Sequence, residues 1–232
     1  MLILEGTEPT ARIDLRLAAI LSCVAGVLNA VGFERAGLFS SNMTGNVSGL
    51  SDSLALGDLP LAASFLLLLV SFVLGAFLAG FGISVGRRRR WCWIYALKIL
   101  LEALLLIGLA FCEGIFSSNR GLICVLSLAL GWQNAVSTGI SSARVRTTHV
   151  SGMATALGLA LGSLGAGDDG APRHRDSVAL YTTIILAFLA GGVFGTLVYL
   201  SAGVLVFLVC GLPLAVLASA ELLRATRSRS TP

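Results

Sequence analysis

Apolar residues fall in six long runs along the chain, and polar residues gather in the gaps between them. The runs cover about Leu15–Phe33, Leu61–Val85, Trp91–Phe111, Leu122–Ile140, Val178–Leu200 and Ala202–Leu223. A bilayer crossing needs about 20 predominantly apolar residues, so each run predicts one transmembrane helix. The first follows Arg12 and Arg16 but is longer than the roughly 7–15 residues of a signal-peptide core. It is therefore expected to stay as a first crossing. Short alternating segments of the kind that build a membrane β-barrel do not occur.

Two polar stretches interrupt this pattern. Ser40-Ser41-Asn42-Met43-Thr44-Gly45-Asn46 lies beyond Gly26-Val27-Leu28-Asn29-Ala30-Val31. Arg146-Thr147-Thr148-His149-Val150-Ser151-Gly152 lies beyond Gly131-Trp132-Gln133-Asn134-Ala135-Val136. The same order of motifs in both halves predicts an internal duplication, spanning about residues 13–112 and 120–223 of a single transmembrane domain, 1–232. Phe72-Val73-Leu74-Gly75-Ala76 aligns with Phe188-Leu189-Ala190-Gly191-Gly192 and supports it. Three crossings per copy is an odd number, so the copies are expected to be inverted. The segments 43–56 and 150–164 are then either re-entrant half-helices or, in an eight-crossing alternative with parallel copies, full spans. Gly75 and Ala79 offer a small-xxx-small face for close helix packing. Gly165–Asp176, rich in Gly, Asp, Pro and Arg, is expected to be an exposed loop.

Charge sets an orientation. With the N-terminus inside, the inner segments hold Arg87–Arg90, Arg144, Arg146, Arg173, Arg175, Arg224, Arg227 and Arg229 beside Arg12 and Arg16; the outer ones hold only Arg35 and Arg120. The positive-inside rule thus predicts both termini in the cytoplasm. The composition agrees: 56% hydrophobic and 12% charged, against about 25% charged for a soluble domain. The net charge of +4 follows loops rather than a basic face, so no nucleic-acid partner is expected.

Candidate chemistry is sparse. Cys23, Cys92, Cys112, Cys124 and Cys210 show no CxxC spacing, and His149 and His174 are too few to suggest a metal site. No cofactor is expected. HExxH, GxSxG, Walker and paired-aspartate signatures are missing from the sequence, so an enzyme is not expected. Thr44, Gly45, Asn46, Ser151 and Gly152 offer hydroxyls, an amide and flexible backbone at chain breaks, suited either to a ligand site or to helix capping. Asn29 and Asn134 need partners inside the membrane and should face the bundle interior. Lys98 and Glu102, spaced i, i+4 in the third run, either form a neutralising ion pair or take part in proton coupling. Arg144, Arg146 and His149 form either an anion-attracting cluster at the inner mouth or an ordinary positive-inside loop.

Gly37-Leu38-Phe39-Ser40-Ser41-Asn42-Met43-Thr44-Gly45-Asn46, taken with the Gly131–Ala135 and Arg146–Gly152 motifs, resembles the YoaK-like DUF1275 family of bacterial membrane proteins. The resemblance covers about residues 15–222. The second motif carries Ser151-Gly152 where that family typically has Thr-Gly, and Ser keeps the hydroxyl. The resemblance implies a multi-pass inner-membrane protein and brings no substrate or reaction with it.

The sequence therefore predicts an all-α polytopic membrane protein of about six helices in two inverted three-helix repeats, each with a short polar helix. The expected function is passage of an unknown small solute through a site of Asn29, Thr44, Gly45, Asn46, Asn134, Ser151 and Gly152. The competing expectation is a scaffold or sensor that binds a partner protein. The lipid bilayer is the expected environment, and homo-oligomer formation is left open.

Overall fold

A computed structural model describes residues 11–111, 119–141, 143–168 and 170–227, with side chains between residues 15 and 225. The tail before Ala11, the turn at Ser117, Cys112 and Arg229 lie outside the described residues.

The described chain is helical: α1 (Ala11–Ala36), α2 (Met43–Ala55), α3 (Leu59–Arg88), α4 (Ile94–Phe111), α5 (Asn119–Ile140), α6 (Val150–Gly165), α7 (Ala171–Ala202) and α8 (Val206–Arg227). Five stretches are long and apolar enough to cross a membrane: Leu15–Ala36, Leu59–Arg88, Ile94–Phe111, Asn119–Ile140 and Ala171–Ala225. The last contains both α7 and α8, separated by a 3₁₀ turn at Gly203–Leu205. At 1.5 Å per residue, α2 is about 20 Å long and α6 about 24 Å, both short of a bilayer core of about 30 Å.

Two boundaries differ from the sequence reading. The loop expected at Gly165–Asp176 is shorter, because α7 begins at Ala171 with a proline in its first turn; proline's fixed φ and missing N–H suit that position. The third run does not start as helix at Trp91. Arg90 takes a positive φ of 54° and a turn carries the chain to Ile94. The fifth and sixth runs are joined by a tight 3₁₀ turn, with Gly203 at φ 58° ending α7.

Packing follows glycine. α1 lies against α7 and α3 against α5, while α4 packs on α8 and α1 also touches α5. A Cβ on Gly26 would overlap the Phe188 carbonyl, and one on Gly191 would overlap the Cys23 carbonyl. In the other pair, a Cβ on Gly131 would overlap the Phe72 carbonyl and one on Gly75 the Leu128 carbonyl. Gly26 and Gly131 hold the same place in the two Gly-x-x-Asn-Ala-Val motifs; Gly75 and Gly191 hold the same place in the Phe72 and Phe188 segments. Each half therefore lends its first helix to the other half's long helix through an equivalent contact.

These contacts also fix direction. Along α3 and α5, the Ser127 hydroxyl donates to the Leu68 carbonyl at 2.8 Å, Gly131 meets Phe72, and Gly139 meets Ile83, so the two helices are parallel. α1 and α7 are parallel too: Gly26 meets Phe188 and Val27 meets Gly195, and at their C-terminal ends the Arg35 guanidinium donates to the Tyr199 hydroxyl at 3.4 Å. At the other end of the bundle, Tyr95 at the start of α4 takes a hydrogen bond from Arg87 (2.6 Å) and donates to the Gly139 carbonyl near the end of α5 (3.1 Å). Val145, just past α5, packs with Ala18 of α1 and Leu180 of α7. The start of α1 and the ends of α3 and α5 thus share one end of the bundle, so α1 and α5 run in opposite senses.

The main core is built from α1, α4, α5 and α8, with Tyr95, Phe207, Leu28 and Leu130 among its buried members. α3 and α7 turn large apolar side chains outward, including Phe77 and Phe81 on one and Leu197 and Leu200 on the other. Exposed apolar surface on that scale marks a membrane-facing protein.

Candidate functional site: a cavity between two helix N-termini

After α1, Gly37 reverses the chain at φ 68°, and residues 38–41 run back along the helix they have just left. The Ser40 hydroxyl donates to the Leu28 carbonyl at 3.2 Å. Both the Ser41 amide (3.0 Å) and the Ser41 hydroxyl (2.8 Å) donate to Asn29 Oδ1. Asn29 lies about 10 Å from the end of α1, so α2 starts deep in the bundle. Asn42 caps it, its side chain accepting from the Gly45 amide at 3.1 Å. Asn46 Nδ2 donates back to the Phe39 carbonyl at 3.1 Å, which folds the first turn of α2 against its own entry strand.

The second half repeats the manoeuvre with different side chains. Beyond α5, Ser141 Oγ donates to the Ser137 carbonyl at 2.8 Å and accepts from the Val145 amide at 2.8 Å. The Thr147 hydroxyl donates to Gln133 Oε1 at 3.3 Å. His149 occupies the N-cap of α6 but makes no side-chain capping bond.

The two N-termini meet at an open cavity of about 980 Å³. Its polar lining includes Asn29, Ser41, Asn42, Thr44, Gly45 and Ser48 from the first half, and Asn134, Thr138, Arg146, Thr148, His149 and Ser151 from the second. Phe39, Phe72, Ile185, Phe188 and Leu189 supply apolar wall. Each short helix starts at this cavity and returns to the end of the bundle from which its chain entered, because α2 packs back along α3 and α6 along α7.

Of the seven residues singled out from the sequence for a solute site, Asn29, Thr44, Gly45, Asn134 and Ser151 line the cavity. Asn46 and Gly152 lie off its lining. Asn46 is 3% exposed and spent on the Phe39 carbonyl; Gly152 is pressed against the His149 ring, where a Cβ would come within 2.6 Å. The sequence reading missed Ser41 as the partner of Asn29, and missed the cavity role of Phe72 and Phe188. The equivalence of the two phenylalanines was visible in the aligned segments, but their inward direction was not.

The ion pair expected between Lys98 and Glu102 does not form among the described residues. Lys98 Nζ instead sits over the Trp132 ring, 4.4 Å from its centroid, in the space left by Gly82 of α3. The Trp132 indole N–H donates to the Lys98 carbonyl at 3.0 Å. Glu102, 2% exposed, leaves both carboxyl oxygens without a hydrogen bond, as does the Gln133 amide nitrogen beside it. The lysine turns toward α3 and α5 while the glutamate points into the core, so shared spacing did not bring them together.

Among the described residues, no group of three or more His, Cys, Asp or Glu side chains could hold a metal ion. The family model described as protein of unknown function (DUF1275) matches residues 17–220. No curated protein and no solved structure matches the chain.

Proposed function

The chain belongs to the DUF1275 family, and from its geometry we propose that it is a small-solute transporter of the cytoplasmic membrane. The observation that carries this reading is the cavity itself. Two short helices from equivalent positions in the two halves enter from opposite ends and meet there N-terminus to N-terminus. Secondary transporters commonly place substrate near the midplane, where discontinuous helices of inverted repeats meet, and non-helical backbone at that depth is tolerated where it lines a cavity.

In this reading α1, α3, α4, α5, α7 and α8 are six crossings, and α2 and α6 are re-entrant. The opposite senses of α1 and α5 support an inverted repeat. The orientation is supported by charge: Arg87, Arg88, Arg144, Arg173, Arg175 and Arg224 gather at the end where α1 starts, and Arg35 and Arg120 at the other. The positive-inside rule then puts both termini in the cytoplasm. Transport proceeds by alternating access, with one half rocking against the other along the glycine contacts.

Impermeant thiol labelling in a cysteine-free background tests the reading. Leu56→Cys and Ala166→Cys, at the exposed ends of α2 and α6, are expected to label from opposite faces. Thr44→Cys, on the cavity wall, is expected to label from both faces as the protein cycles. If Thr44→Cys labels from one face only, alternating access is wrong and a scaffold or sensor role takes its place.

A further inference from the structure

We propose that the cavity binds an organic anion, with its acidic head at the N-terminus of α6 and its apolar body against Phe39, Phe72 and Phe188. The inference rests on the transport reading for its biological meaning, but its physical basis is separate.

Three observations converge on the head group. First, Asn29 is 8% exposed, and two donors from Ser41 fix its Oδ1. That settles which way the amide points. Its Nδ2 is turned to the cavity with no hydrogen-bond partner in the protein. Asn134, in the same place in the other half, also lines the cavity, and its Oδ1 has no hydrogen-bond partner. Each half thus brings an amide with unused hydrogen-bonding capacity to one space.

Second, the N-termini of α2 and α6 both point into that space. Their free amides and aligned dipoles favour negative charge there. The α2 end is partly satisfied by the Asn42 cap. The α6 end has no side-chain cap, so its first-turn N–H groups remain available to a ligand.

Third, the lining carries a cation and, among the described residues, no Asp or Glu. Arg146 and the imidazole of His149 flank the start of α6. A cation would find donors and a guanidinium but no carboxylate. The rest of the wall is aromatic and aliphatic, and about 980 Å³ is far more space than a bare inorganic anion fills; pockets of about 300–1,000 Å³ hold drug-sized ligands. A carboxylate or phosphate ester carrying an apolar body matches both halves of this lining.

The test uses matched probes on the purified full-length protein in detergent, read by thermal stabilisation and equilibrium dialysis. Benzoate and phenyl phosphate are compared with benzamide, which keeps the ring and loses the charge, and with acetate and inorganic phosphate, which keep the charge and lose the ring. Benzoate or phenyl phosphate should bind at least tenfold more tightly than benzamide and than either small anion. Arg146→Gln, at an exposed side chain, should weaken the aromatic anion about tenfold while the protein stays monodisperse; Asn29→Ala should do the same if it folds. Equal binding of benzamide, or no binding by any anion, overturns the proposal. Equal binding of acetate or inorganic phosphate removes the apolar body from it. Benzoate flux in proteoliposomes separates the two claims: binding without flux refutes transport and leaves the anion site standing, whereas passage of benzamide in preference to benzoate leaves transport standing and refutes the anion site.

Discussion

Replacing Gly75 with alanine places one methyl group where the Leu128 carbonyl already sits. The nearest obstacles to that Cβ are backbone atoms of α5, Leu128 O and C and Trp132 N. A flexible side chain could rotate away, but a helix backbone cannot. Real Cβ atoms essentially never come within 3.0 Å of such a neighbour, so α3 and α5 would have to part by about 1 Å along a closely packed face. Overpacking of this kind costs about 1–3 kcal/mol, and in a chain of this length each kcal/mol lowers Tm by about 2–4 °C. Gly80, on the same helix, meets nothing within 4 Å and serves as the control. Gly80→Ala should be neutral or slightly stabilising, since glycine costs about 0.5–1 kcal/mol relative to alanine in a helix interior. Thermal unfolding of both variants in one detergent is the assay, with a loss of about 2–12 °C expected for Gly75→Ala alone. Gly26→Ala, Gly131→Ala and Gly191→Ala should behave like Gly75→Ala, because each meets a carbonyl across its helix pair. If Gly75→Ala and Gly80→Ala unfold together, backbone contact through glycine does not hold the two halves.

Three further outcomes follow from individual contacts. A double-mutant cycle of Lys98→Met and Trp132→Leu should show a coupling of about 0.5–2 kcal/mol from the cation over the ring; additivity would mean the contact contributes nothing. Glu102→Gln should not lower Tm, because an amide is cheaper than an ionised carboxylate to bury without a partner; a drop beyond about 4 °C would reveal a stabilising role that its two unbonded oxygens do not suggest. Ser127→Ala should destabilise by about 0.6–1.7 kcal/mol through loss of the bond to Leu68, whereas Ser22→Ala, whose buried hydroxyl has no partner, should be neutral or stabilising; reversal of that order would refute the assignment of the two hydroxyls.

The helices and the two polar breaks were legible because the bilayer makes hydrophobicity a direct signal: runs such as Leu61–Val85 have few other uses. The likeness of the Phe72 and Phe188 segments was legible, since they align residue by residue, but the helices they would pack against were not. What the sequence could not show was direction on a helix. Lys98 and Glu102 share a face by spacing, yet the space beside Gly82 and the ring of Trp132 draw the lysine away. Asn46 looked like a site residue because it follows Thr44-Gly45, but its amide is consumed by the Phe39 carbonyl. Ser41 was read as part of the polar stretch but not as a site residue, because its role depends on the chain reversing at Gly37. Such roles belong to tertiary contacts across a turn, and no periodicity encodes them.

The scaffold and the cavity obey different symmetries, and the proposed transport mechanism needs both. The glycine contacts match in the two halves, carbonyl for carbonyl, so a rock toward one face and a rock toward the other repack equivalent surfaces. Two states built from equivalent contacts differ little in free energy, and a modest difference in ligand or ion affinity is then enough to shift between them. The lining does not match. Asn42 caps α2, while His149 stands uncapped at α6; Phe39 lies in the first approach strand, while Arg146 lies in the second. A ligand with one acidic end and one apolar end would therefore take a single orientation in a frame that otherwise has two. The polarity of the bound molecule would be set by Arg146, His149 and the bare end of α6. The ease of the motion would be set by Gly26, Gly75, Gly131 and Gly191. Substitutions in the first group should alter selectivity with little change in stability, and those in the second should do the reverse.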